Sequence, residues 1–473
     1  MLIPLSRPLV AAFSMLVLVS GSGAAAASTR PPVTPTLRAV PGSGLPALRG
    51  AARVAPTAAA RPIDVTVSLK PRNASLLAYS ARTSSGSKPM TTAQLRTLFA
   101  PTPADRAAVV AYMRGHGLHL ERSGLLTLGF HGSAAAASRA FHVGLSSYRG
   151  ADGHVFRAPD AAVRLPAAIS PLVSSVTGLD TATRLQSLAT GPELTPHTTV
   201  PTPSCSGPNH AKSLYGGYLP GDLATAYGHR SLIEDAQNYD GHGESIALVE
   251  FSNYKSSDIT SFKSCFGLTT PVHNRPINGG STTMSGAIEA ELDIEVALSN
   301  APGLSSVEVY TAPNSIAQIL PMVDSMINNA ASTDTYIVSD SWGLCEDFLP
   351  PSFLQAESYQ LQLAAAAGLS FYAASGDSGS SDCKSVQPTD TSLVVDDPAS
   401  QPFVTGVGGT TLHSADGADS TAWKHGGGGI SRNWSQPSYQ SGNPHRSYDN
   451  GAKCGNPAGF CRQVPDIALD ANP

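Results

Sequence analysis

The 473-residue chain carries a formal net charge of −5, yet residues 1–200 hold 19 Lys and Arg against 7 Asp and Glu (+12), while residues 201–473 hold 11 against 28 (−17). The basic residues are scattered Arg among Ala and Leu, without a Lys/Arg cluster or interleaved aromatics, which argues against a nucleic-acid-binding arm and for two parts of one protein that attract each other. No run of about 20 apolar residues is present to span a bilayer, so neither a nucleic-acid nor a membrane partner is expected, and a monomer is.

In chain order, Arg7, the apolar stretch Leu9 to Ser20 and the small residues Ala24 to Ala27 have the pattern of an export signal over residues 1–27, which places the protein outside the cell. Residues 28–62, rich in Ala, Pro and Arg, are expected to be unstructured. Over 63–180 a small α+β domain is predicted. Its strands start near Asp64 and Leu125. Its helices run over Thr92–Phe99, with Thr91 or Thr92 as cap, over Pro103–Arg114, and from Ala134 to Phe141. A Thr/Pro/Ser-rich linker follows at 181–208, centred on Thr195 to Pro203, a composition that proteases favour. From 209 to 473, apolar runs at 245–251, 306–310, 335–339, 369–374 and 403–407 read as buried strands, with helices at 258–266, 316–329 and 353–367 between them. Continuous apolar strands separated by helices predict a parallel sheet covered on both faces. In such sheets chemistry gathers at the carboxyl ends of the strands, where Ser341-Trp-Gly343 and Ser375 to Gly379 fall. All six cysteines lie after residue 200; in an exported chain this favours disulfides, with Cys454 and Cys461 close enough to staple one loop.

The run Ser285 to Ser299 reads as a helix. At about 100° per residue, Ile288, Leu292 and Val296 form one apolar edge, and Ala290, Ile294 and Ala297 continue the arc. Glu289 and Asp293 fall in its middle, one turn apart, while Glu291 and Glu295 point away. Like charges at this spacing destabilise a helix, and burying a carboxylate is costly unless it is protonated or paired. An acidic surface helix is the plain alternative. The apolar surroundings, with the motifs at the strand ends, favour a chemical role.

Gly376-Asp-Ser-Gly379 invites a chymotrypsin-like reading with Ser378 as nucleophile, but that family is all-β and needs an Ala-Ala-His-Cys-like segment that is absent. A subtilisin-like fold suits the strand pattern better. Yet its first core strand, after Asp240-Gly-His-Gly-Glu244, ends in Glu250 rather than Asp, and no His-Gly-Thr-His segment follows.

With Glu289 and Asp293 where that histidine would stand, the chain resembles the sedolisin (kumamolisin-like) serine-carboxyl peptidases. The similarity runs through Phe99 to Asp105, Gly115 to Leu118, Ala140 to Val143 and Val176 to Asp180. It continues through Leu219 to Gly228, Gly243 to Glu250, Glu289 to Asp293, Ser341 to Gly343, Ser375 to Gly379 and Val407 to Leu412. The resemblance implies a ferredoxin-like activation prodomain at 63–180 that inhibits in cis, ahead of an α/β, subtilisin-like parallel sheet at 209–473. It also implies protein or peptide substrates cut in acid. Glu289 would be the general base, Asp293 would orient it, and Asp377, protonated, would donate to the oxyanion; Trp342 and Glu250 read first as a packed indole and a polar strand end. The family's Gly-Thr-Ser nucleophile segment does not occur in the chain. The stretch Val464 to Pro473 resembles what precedes it, so the peptidase part is expected to lack its carboxyl-terminal portion, with the family's calcium site lying beyond Pro473. A non-catalytic homologue that binds or inhibits is the rival expectation.

Overall fold

The computed structural model describes residues 36–187, 218–233 and 239–472, apart from 49, 85, 87, 151–152, 415–416, 418 and 443–448. The export signal, the start of the Ala/Pro/Arg segment and the Thr195 to Pro203 heart of the linker lie outside the described residues. From Leu37 onward the chain forms one unit.

In the amino-terminal part, Ile63, Val65, Val67 and Leu69 put the buried side of the Pro62–Leu69 strand against Val109, Met113, Phe130, Ala137 and Phe141. Pro62–Leu69 lies between Thr127–Ser133 and Val173–Thr177, and His119–Ser123 completes a four-stranded antiparallel sheet. With Pro103–Gly115 and Ala134–Phe141 as crossing helices, this is the expected ferredoxin-like arrangement. Thr91 rather than Thr92 caps the Thr92–Leu98 helix: its hydroxyl accepts the Gln94 N–H at 3.3 Å and its own N–H donates to Gln94 Oε1 at 2.9 Å, a reciprocal capping box. One expectation is corrected. Part of the segment taken as unstructured pairs with the domain, Leu37–Ala39 with Arg164–Pro166 and Ala52–Pro56 with the Leu145–Arg149 strand. Ala52–Pro56 is exposed throughout, so backbone pairing to an edge, not an apolar face, holds it, and composition carries no signal of that.

The second part is built on an eight-stranded sheet. Its parallel core runs Val272–Pro276, Ser306–Thr311, Ser245–Glu250, Thr335–Asp340, Ser370–Ala374, Thr405–Leu412, with Ile467–Asp470 joining the last in parallel. Alternate residues of the central strand face opposite ways. Ala247 and Val249 pack with the Ile316–Thr333 and Pro351–Ala366 helices. Leu248 packs with Ile259, Ala290, Ile294 and Leu298 of the Ser256–Phe266 and Ala287–Asn300 helices. Both faces are covered, which is why these strands read as unbroken apolar runs.

The two parts share a core. Leu77, Leu95, Phe99, Leu125 and Leu126 of the first belong to one apolar cluster with Leu320, Val323, Met326, Phe353, Leu354 and Leu361 of the second. Polar contacts thread it: Thr66 Oγ1 donates to the Ala317 carbonyl at 3.1 Å and the Met90 N–H to the Ala366 carbonyl at 3.0 Å. Asp324, 3% exposed, accepts the Leu125 N–H at 3.0 Å and the Thr127 hydroxyl. Arg106, braced on the carbonyls of Gly124 and Leu125 at 2.9 and 3.0 Å, faces the same carboxyl, whose pKa is raised by burial despite these donors. Here the opposite charges of the two parts meet across a desolvated contact. Asp324→Ala leaves a buried N–H and hydroxyl without an acceptor and should destabilise the chain by about 1–3 kcal/mol, read from denaturant unfolding. Asp324→Asn, which keeps an acceptor, should lose less.

Candidate active site

Glu250 ends the central strand and is fully buried. The neighbouring strand ends in Asp340, and beyond Ser341 the chain turns into Trp342–Cys345, which pairs antiparallel with Gln186–Ser187 on one side and with Asp396–Asp397 on the other. The Ala287–Asn300 helix starts from Gly286 at φ +102°, where a Cβ would lie 2.7 Å from Trp342 Cη2. Only glycine accepts both that backbone and the close approach of the indole.

The helix turns differently from the periodicity argument. Glu289, Ala290, Ile294 and Leu298 are its buried residues, whereas Ile288, Leu292 and Val296 remain 48, 46 and 43% exposed. The contact with the sheet runs through Ala290, Ile294 and Leu298, and this centres the buried face on the acidic side of the arc.

Trp342 Nε1 donates to Glu250 Oε2 at 2.9 Å, with its ring set edge-on to Phe251 at 5.8 Å. Ser341 Oγ donates to Asp293 Oδ1 at 2.9 Å, and Ser187 Oγ to Glu289 Oε2 at 3.0 Å. Glu250 and Asp293 are hydrogen-bonded to each other. Glu250 Oε1 and Asp293 Oδ2 are shielded from water with no N–H or hydroxyl donor, so a proton held between the two carboxyls is what satisfies them. Burial raises both values, Asp293 to about 6 and Glu250 well above its ordinary range, and the negative charges of Asp293 and Glu289 push Glu250 further. Asp340, whose Oδ1 accepts the Trp342 N–H at 2.9 Å, is raised by burial and by Asp293, Asp397 and Glu289. A close group of carboxyls with too few donors holds protons into the weakly acid range and passes them between members.

Glu289 and Asp293 are thus brought together with Glu250 at the strand ends. The partners found for Asp293 are Ser341 and Glu250. Asp377 stands on another loop, after the Ser370–Ala374 strand, two strands across from Glu250. Gly376 at φ +99° makes the turn that presents it, and its Oδ2 is shielded from solvent. Ser378 follows on the same loop. Sequence reasoning undervalued Glu250 and missed Asp340, although Asp340 directly precedes Ser341-Trp-Gly343. Among the described residues, the one group of three metal-ligating side chains within 4.8 Å is Asp64, Glu121 and His131, on the amino-terminal sheet; His131 Nδ1 and Asp64 Oδ1, 2.7 Å apart, already satisfy each other. Disulfides join Cys454 to Cys461, as the spacing suggested, and Cys345 to Cys383.

Residues 49–182 match the family model of the pro-kumamolisin activation domain. Kumamolisin of Bacillus sp. (strain MN-32) is 33% identical over 390 residues, 78% of this chain and 65% of its own. Sedolisin of Pseudomonas sp. (strain 101) is 28% identical over 457 residues, 89% of this chain and 72% of its own. A solved structure of Pseudomonas sedolisin, a serine-carboxyl proteinase complexed with two molecules of pseudo-iodotyrostatin, is 24% identical, covers 54% of this chain and 70% of its own, and has a TM-score of 0.42. This chain therefore spans just under two thirds of the length of kumamolisin. With an activation-domain match in its first part and relatives that align across most of its length, the chain is similar to the sedolisin, or kumamolisin-like, peptidases.

Proposed function

We propose that this chain is the zymogen of an exported, acid-acting serine-carboxyl endopeptidase that hydrolyses protein or peptide substrates. The observation that carries the reading is the meeting of buried Glu289 and Glu250 with half-buried Asp293, whose Oδ2 is shielded, at the carboxyl ends of a parallel sheet. Glu289 is the general base. A hydroxyl already donates to its Oε2 at 3.0 Å, that of Ser187, and proton removal from an attacking alcohol starts from such a contact. Asp293, steadied by Ser341 and bonded to Glu250, orients Glu289 and shares the proton that this base takes from the attacking alcohol and returns to the leaving amine. Asp377, kept protonated, donates to the oxyanion. No residue of these 473 is assigned as nucleophile, because no Gly-Thr-Ser segment occurs among them. No residue is assigned here to the calcium that the resemblance implies, and no step runs through it.

The activation domain is proposed to inhibit by occupancy. Gln186–Ser187 lies as an added strand against Trp342–Gly343, the way an extended peptide binds a sheet edge, and Ser187 ties up Glu289. Cleavage in the 181–208 linker would release this strand. Amino-terminal sequencing of acid-matured protein should place the new terminus there; a terminus within 63–180 contradicts this.

Two further outcomes follow from the acids. Asp293 rises from 3.8 to about 6, so the folded chain holds protons that the unfolded chain has released. Stability from the Glu250–Asp293 pair is therefore complete below the ordinary carboxylate range and is lost as pH rises through about 6. Glu250→Gln offers Asp293 an amide donor, and Trp342 an acceptor, at every pH. Its thermal midpoint should stay near that of the parent in acid and fall less steeply on raising the pH. As to activity, the 473-residue chain should neither process itself nor cleave a denatured protein in acid. Fused at Pro473 to a Gly-Thr-Ser-bearing segment of kumamolisin it should do both, and Glu289→Gln in that fusion should cost at least about 100-fold. Acid proteolysis by the 473-residue chain that Ser378→Ala abolishes would instead restore Ser378 as nucleophile.

A further inference from the structure

Asp382 and Asp396 lie beneath the candidate site and take no part in the chemistry proposed above. Both are 1% exposed. Asp382 opens a short turn that the Cys345–Cys383 disulfide ties to the Trp342–Cys345 strand, and Asp396 is the antiparallel partner of Cys345 itself. The two side chains thus sit on either side of one covalent staple. They also touch the backbones of both site loops: a Cβ on Gly343 would collide with Asp396 Oδ1, and one on Gly376 with Asp382 Oδ1. Gly343 follows Trp342, and Gly376 precedes Asp377. Both oxygens of Asp382 and Oδ1 of Asp396 are buried without a hydrogen-bond donor. As two carboxylates they would repel each other in a desolvated site; with one proton between them they bond.

We propose that Asp382 and Asp396 share one proton and act as a positioning pair that holds the Ser341–Gly343 and Ser375–Gly379 loops at their working separation, loosening both when the proton leaves. The positioning role rests on the acid-peptidase reading of these loops; the shared proton does not. The groups that act on the pair all carry the same sign. Asp396 feels Asp382, Asp397 and Asp340, Asp382 bonds to Asp396, and Asp397 in turn bonds to Glu357. Burial raises both members, Asp396 well above its ordinary value. The folded chain therefore gains the pair's proton in acid and loses the associated stability as pH rises.

The test uses the whole chain and needs no proteolysis, so its failure leaves the proposed function standing, and the loss of that function leaves the shared proton standing. Hydrogen exchange is followed by mass spectrometry from about pH 4 to about pH 8 and corrected for the intrinsic rise of exchange with pH. Exchange in segments 341–345 and 375–379 should rise about tenfold or more across this range. The infrared C=O stretch of a protonated carboxyl should persist at neutral pH. Asp396→Asn and Asp382→Asn replace the shared proton by a permanent amide donor. Each should remove part of that band and flatten the pH dependence of exchange in both segments together. Variants that keep the parent's pH dependence overturn the proposal. If neither variant folds, the parent decides: a flat exchange profile in the two segments overturns it, and a rise confined to them supports it.

Discussion

Carboxyl groups taken out of water need either donors or each other, and that constraint shapes the second part of this protein. Two like charges about 4 Å apart repel by about 4 kcal/mol at an effective dielectric of 20, a large fraction of a domain's stability. The fold answers by pairing. Glu250 bonds to Asp293, Asp382 to Asp396, and Glu357 to Asp397. Gln401 Nε2 bridges the last pair at 3.1 and 3.0 Å. Each pair is economical only when it holds a proton, so the stability drawn from the pairs is greatest at low pH. The parallel sheet, covered on both faces, supplies the dry ground in which such pairs form, and its strand ends bring several of them together.

The same covered sheet explains why the two parts cohere. The Ile316–Thr333 and Pro351–Ala366 helices bury one side on the sheet and another on the amino-terminal domain. An opposite net charge on the two parts draws them together over distance. What holds them at contact range is apolar burial and hydrogen bonds, with Asp324 as a desolvated meeting point for Arg106, Leu125 and Thr127. The start of the linker, at Gln186–Ser187, then reaches the candidate site itself by pairing with Trp342–Gly343.

Much of the fold was legible in the residues. The parallel sheet followed from apolar runs whose two faces are both buried, and the helices from caps and spacing, as at Thr91 with Gln94. The weak points share a physical cause. Ala52–Pro56 and Val272–Pro276 are strands held mainly by edge pairing, with little apolar alternation to reveal them. The Ala287–Asn300 helix was recognised, but its periodicity could not tell which side of a broad apolar arc would meet the sheet, and Ile288, Leu292 and Val296 stayed exposed.

The sequence by itself determined the order of most elements, the resemblance to the sedolisin peptidases, and the identity of the acids offered for chemistry, because these depend on residue type and on spacing along the chain. Tertiary structure alone decided which acids meet. Glu250 and Asp293 are 43 residues apart, Asp382 and Asp396 are buried against Gly376 and Gly343 of two different loops, and Ser187 arrives from the amino-terminal side to touch Glu289. Proton sharing depends on separation in space and on the exclusion of water, and neither exists until the sheet has closed under its helices.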